Sequence, residues 1–113
     1  GVINSYDSGY TKIDDLPDEP VKGAFRWLHQ MVASGYDVCI FSTRSRELAG
    51  LEAIHAWFLK HGWRKTPSGD LEGLRLPQEK PPALIYIDDR AFLFEGTFPT
   101  AKYIREFKPW NKR

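Results

Sequence analysis

Hydrophobic positions fall into two patterns along the chain. Val38–Phe41 and Ala83–Ile87 are apolar at nearly every position and rich in strand-forming residues. Continuous runs of that length predict strands buried on both faces, as in a parallel sheet. Elsewhere the apolar positions repeat at helical spacing. Val21, Ala24, Phe25, Leu28, Met31 and Val32 do so after Asp18-Glu19-Pro20, an acidic opening in which proline is tolerated, and Gly35 closes the stretch. Leu51, Ile54, Trp57, Phe58 and His61 predict a second helix over Leu48–His61, stopped by Gly62. Thr100–Phe107 predicts a short terminal helix. Ala91–Phe94 is a short apolar run broken by Gly96, a hairpin-like or helical end.

Between these elements, Gly1–Asn4 reads as the tail of a strand. Ser5–Glu19 is a long polar loop, of the kind that is functional or mobile in compact domains. Thr66–Glu79 reads as a loop or a weak edge segment. Alternating strands and helices predict an α/β fold: a three-layer, Rossmann-like parallel sheet with helices on both faces. At 113 residues the chain predicts one small domain spanning residues 1–113.

Composition narrows the function classes. A formal net charge of +1 gives no broad basic field for nucleic acid or an anionic membrane. Nothing approaches the ~18 consecutive apolar residues of a membrane span. With one cysteine, no internal disulfide can form, and a reducing, cytoplasmic setting is the expectation. Cys39 lies inside a strand-like run and reads as core rather than as a reactive thiol. His29 reads as a solvated helix residue. His55 and His61 are too far apart for a helical metal pair and read as structural.

The chemistry gathers where the two apolar runs end. Ser42-Thr43-Arg44-Ser45-Arg46 comes after the first, Asp88-Asp89 after the second, and Lys80 stands just before the second. In open α/β sheets ligands bind outside the carboxyl ends of the strands. Two adjacent carboxylates repel unless a cation sits between them, and Mg²⁺ is commonly held by one or two carboxylates. The plainer reading of Asp88-Asp89 is a turn in which aspartate bonds to nearby backbone. A hydroxyl, cationic side chains and an acid pair together suit phosphoryl transfer, which needs donors and cations around charged oxygens.

Phe41-Ser42-Thr43-Arg44, Lys80-Pro81 and Ile87-Asp88-Asp89-Arg90 resemble motifs two, three and four of the haloacid-dehalogenase-like (HAD) phosphohydrolases. Gly1-Val2-Ile3 resembles the residues immediately after that family's first motif. The likeness runs over nearly the whole chain. It is nearest to small bacterial and phage members without a large cap domain, akin to the phosphatase half of polynucleotide kinase-phosphatase. It implies a HAD-like fold and a Mg²⁺-dependent phosphomonoester hydrolase working through an aspartyl-phosphate. By the same resemblance Ser42 bonds a phosphate oxygen, Lys80 neutralises phosphate and nucleophile, and Asp88 and Asp89 hold Mg²⁺. Thr43 and Arg44 contact the substrate phosphate, and Arg90 supports the loop. The substrate is a phosphorylated molecule, with a nucleotide or nucleic-acid end among the options. Specificity is expected in Ser5–Glu19 and around Arg44 and Arg46.

The family's nucleophile and its acid–base aspartate would both stand immediately before Gly1, and this sequence does not contain them. The expectation is that the first strand lies upstream of Gly1. The alternative is a non-catalytic phosphate- and Mg²⁺-binding or regulatory domain. A receiver-like domain fits less well, because its acid pair comes early and this one comes after the lysine.

Overall fold

A computed structural model describes residues 1–113. In chain order it contains helix α1 (Ala24–Ala33), strand β1 (Val38–Cys39), a 3₁₀ turn (Thr43–Arg46) and helix α2 (Leu48–Lys60). Strand β2 (Leu74–Arg75), helix α3 (Ala101–Arg105) and a second 3₁₀ turn (Trp110–Lys112) complete it.

Helix α1 starts later than Asp18-Glu19-Pro20 suggests, because that acidic stretch is occupied otherwise. Asn4 and Pro20 form an antiparallel bridge, flanked by hydrogen bonds from Ser5 N to the Glu19 carbonyl (2.9 Å) and from Val21 N to the Ile3 carbonyl (2.7 Å). Helix α2 matches its spacing almost residue for residue, with His61 as its C-cap. Helix α3 is capped by Thr100, whose hydroxyl accepts from Tyr103 N.

One core joins these parts. Leu28 of α1, Ile54, Trp57 and Phe58 of α2, and Trp63, Leu71 and Leu74 are buried together, with Phe25, Val32, Val38 and Ile40 packed against them. The centre is aromatic: Phe25 stacks on Phe58 at 5.3 Å and meets Trp57 and Trp63 edge-on at 5.8 and 5.3 Å. Such edge and offset contacts add to the burial energy of the rings. Their polar ends are satisfied by loop carbonyls. Trp57 Nε1 donates to the Asp18 carbonyl at 2.8 Å, Trp63 Nε1 donates to the Glu72 carbonyl at 3.0 Å, and His55 Nε2 lies 2.7 Å from the Gly69 carbonyl. These bonds tie the Ser5–Glu19 and Thr66–Glu79 loops onto the helices. The structural reading of His55 fits this. His29 is exposed but stacks flat on Trp63 at 4.2 Å.

The three-layer sheet is not present. The only sheet is the parallel pair β1–β2, in register Val38↔Leu74 and Cys39↔Arg75. Two short strands cannot separate helices into layers on two faces. The partner of Val38–Cys39 comes from the segment expected to be a loop or a weak edge. Gly73, just before β2, sits at φ +73° and lets this segment lie close against α1, where a Cβ would collide with Val32 Cγ1. Cys39 is half-buried rather than a core residue.

Ala83–Ile87 forms no strand. Leu84 is 94% exposed and Ile85 69%. An extended run becomes a strand only beside another, and Ala83–Ile87 pairs with neither β1 nor β2. Residues 76–99 take part in no backbone–backbone hydrogen bond. The consequence is visible in the dimensions. The radius of gyration is 15.3 Å, against about 13 Å for a compact chain of this length.

Candidate functional site

The carboxyl ends of β1 and β2 open onto a shared cleft of about 510 Å³ lined by Phe41, Arg46, Gln78, Glu79 and Lys80. Phe41 lies two residues past β1, and Gln78–Lys80 begins three residues past β2. Parallel pairing brings both exits to one end, which is where ligands collect in parallel α/β units.

Its shape depends on the turn after β1. Ser42 caps the 3₁₀ turn: its Oγ accepts from Arg44 N at 3.2 Å, and its own N–H donates to Ser45 Oγ at 3.2 Å. This reciprocal cap fixes the turn with few residues. Ser45 is fully buried. Behind the turn, the first turn of α2 presses on the Arg44 backbone, and a Cβ at Gly50 would overlap the Arg44 carbonyl oxygen. Only glycine permits that approach.

The expected site residues divide between places. Lys80 lines the cleft, exposed, with its ammonium 4.2 Å over the Tyr86 ring; Tyr86 is held by its hydroxyl, which donates to the Pro81 carbonyl at 2.7 Å. Ser42 is half-buried at the cap, where its Oγ–H is still able to donate. Thr43 is exposed on the same turn. Arg44 turns away into cover: it is only 6% exposed, its guanidinium donates to the Lys12 carbonyl, and it lies 4.8 Å from the Tyr10 ring centroid. Arg46, two positions on, is the arginine that lines the cleft.

Asp88 and Asp89 stand apart from the cleft lining. Asp88 Oδ1 accepts from Arg90 N at 2.7 Å, the backbone-bonded turn of the plainer reading. Asp89 Oδ2 is 3.8 Å from Gly1 N, so the first residue and the acid pair are neighbours in space. No group of three or more His, Cys, Asp or Glu side chains is arranged as a metal site. A Mg²⁺ ion keeping most of its waters needs only one or two carboxylates. Asp88 is exposed and has a second oxygen outside its bond to Arg90 N, so Asp88 and Asp89 are the residues that would hold such an ion.

Gln78 and Glu79 are the cleft residues without a sequence signal. They enter it only because β2 forms, and two strand residues are too few to show a periodicity. No protein-family model matches the chain, and no curated protein or solved structure matches it at a significant level.

Proposed function

We propose that the cleft beyond β1 and β2 binds the phosphate of a phosphomonoester, and that the protein is a Mg²⁺-dependent phosphomonoester hydrolase. The observation that carries this reading is the pairing of Arg46 and Lys80 on one open cleft at the carboxyl ends of two parallel strands. Arginine offers a planar fork and lysine a point charge, a combination suited to phosphate oxygens. Ser42, on the turn that carries Arg46, adds a hydroxyl donor.

In this reading Lys80 balances the charge of the phosphate, and the Tyr86 ring holds its ammonium in place. Asp88 and Asp89 would hold Mg²⁺; the ion would supply positive charge to screen the phosphate, which requires the acid pair to close on the cleft it does not line here. The nucleophile expected from the resemblance would stand next to Gly1, and Gly1 adjoins Asp89.

A second reading is a domain that binds phosphate and Mg²⁺ without turnover. Glu79 is the one carboxylate that lines the cleft, and it adjoins the cation that phosphate would use. Turnover of an aryl phosphate, with and without Mg²⁺, separates the two. The assay is run on this chain and on one extended upstream. Mg²⁺-dependent hydrolysis by either supports the hydrolase; phosphate binding without hydrolysis by both supports the binding domain. Absence of phosphate binding from both overturns the cleft assignment.

A further inference from the structure

Arginine is seldom buried this deeply unless a carboxylate pairs with it. Arg44 has none within ion-pair distance; the four ion pairs of the chain involve other residues. Its cover is the Lys12 carbonyl and the face of Tyr10, both on the Ser5–Glu19 loop. A neutral carbonyl and a ring satisfy a guanidinium poorly compared with an oxyanion.

The loop is pinned at its ends and loose between them. Leu16 packs on the core, Trp57 holds the Asp18 carbonyl and Ser5 N bonds Glu19. None of Tyr10 to Asp15 belongs to the core. Apart from the Lys12 carbonyl on Arg44, their bonds are local, such as Thr11 Oγ1 to the Asp15 carboxylate at 2.7 Å, and Tyr10 is 60% exposed. Segments with little apolar burial and exposed bonds open at low free energy. The Arg44 backbone, by contrast, is held by the Ser42 cap and by Gly50. Motion is therefore left to the strap and to the side chain.

We propose that residues Tyr10–Asp15 form a strap that withholds Arg44 from the phosphate cleft, so that an oxyanion bound beside Arg46 draws a third cation in as the strap releases it. The proposal rests on the phosphate reading of the cleft. Phosphate and the strap then compete for one guanidinium, and weakening the strap tightens phosphate binding.

The test is calorimetric titration of inorganic phosphate into the full chain, its Tyr10→Ala variant and the Tyr10→Ala/Arg44→Ala double variant. Phenylglyoxal modification of Arg44, read by mass spectrometry, runs beside it. Losing one exposed cation–π contact is expected to tighten phosphate binding about two- to fivefold in Tyr10→Ala. The gain should vanish in the double variant, and Arg44 should be modified faster in Tyr10→Ala than in the parent. Equal phosphate affinity in parent and Tyr10→Ala, or a gain that survives without Arg44, overturns the strap. If no protein binds phosphate, the cleft reading fails by itself. The modification rates then decide the strap: faster in Tyr10→Ala retains it as a cover on Arg44, and equal rates overturn it.

Discussion

Trp57 of α2 donates its indole N–H to the carbonyl of Asp18, 2.8 Å away across the chain. That one bond joins the helix core to the loop that covers Arg44. Trp57→Phe keeps the ring among Phe25 and Phe58 but leaves the carbonyl unpaired, a cost of about 1–3 kcal/mol. Urea denaturation should show a lower midpoint with an unchanged slope. Limited proteolysis should cut first between Ser5 and Glu19; an uncut loop would mean that its other anchors suffice.

Phe58 is 1% exposed at the middle of the aromatic cluster. Phe58→Ala should cost about 3–5 kcal/mol, because its neighbours are rings that cannot collapse into the gap. Denaturant unfolding measures this directly. A loss under about 1 kcal/mol would show that the cluster is loosely packed.

Substitution of Gly50 should have an unusual sign. Glycine to alanine inside a helix ordinarily stabilises by about 1 kcal/mol. Here the added methyl would fall on the Arg44 carbonyl oxygen, against fixed backbone. Gly50→Ala should therefore destabilise by about 1–3 kcal/mol, seen as a lowered melting temperature. A rise would show that the turn after β1 can shift aside.

Lys80→Ala separates binding from folding. The side chain is exposed and its ammonium lies over the Tyr86 ring, so stability should fall by at most about 1 kcal/mol. Phosphate affinity should drop about tenfold, the effect of losing one charge-assisted hydrogen bond. Titration and melting of the same sample give both numbers. A large melting shift with unchanged phosphate binding would make the lysine structural.

Asp88→Asn is a clean probe of the acid pair. Asparagine keeps an oxygen for the Arg90 N–H, so the turn is preserved while one charge is removed. Mg²⁺ titration should show at least severalfold weaker binding, with melting unaltered. Equal Mg²⁺ affinity would leave the turn as the whole role of Asp88.

Of the candidate site, Ser42 is in the polar turn that follows the apolar run Val38–Phe41, as residue type at a boundary suggests. Lys80 stands just before Ala83–Ile87 in the sequence, but it lines the cleft because it comes after β2, which the pattern did not show. The resemblance assigns Arg44 to the substrate phosphate, but the 3₁₀ turn buries Arg44 and it is Arg46, two positions on, that lines the cleft. Gln78 and Glu79 had no signal until β2 placed them.

Local patterns determined α2 and the body of α1, because helical hydrogen bonds close within a few residues and the apolar stripe alone decides which face is buried. They also determined the cap at Thr100 and the stop at Gly62. The start of α1 was decided by a distant partner, the Asn4–Pro20 bridge. Strands were decided by tertiary structure altogether, because a strand has no hydrogen bonds of its own. Val38–Cys39 became one by meeting Leu74–Arg75, while Ala83–Ile87, the more strand-like sequence, found no neighbour and lies exposed.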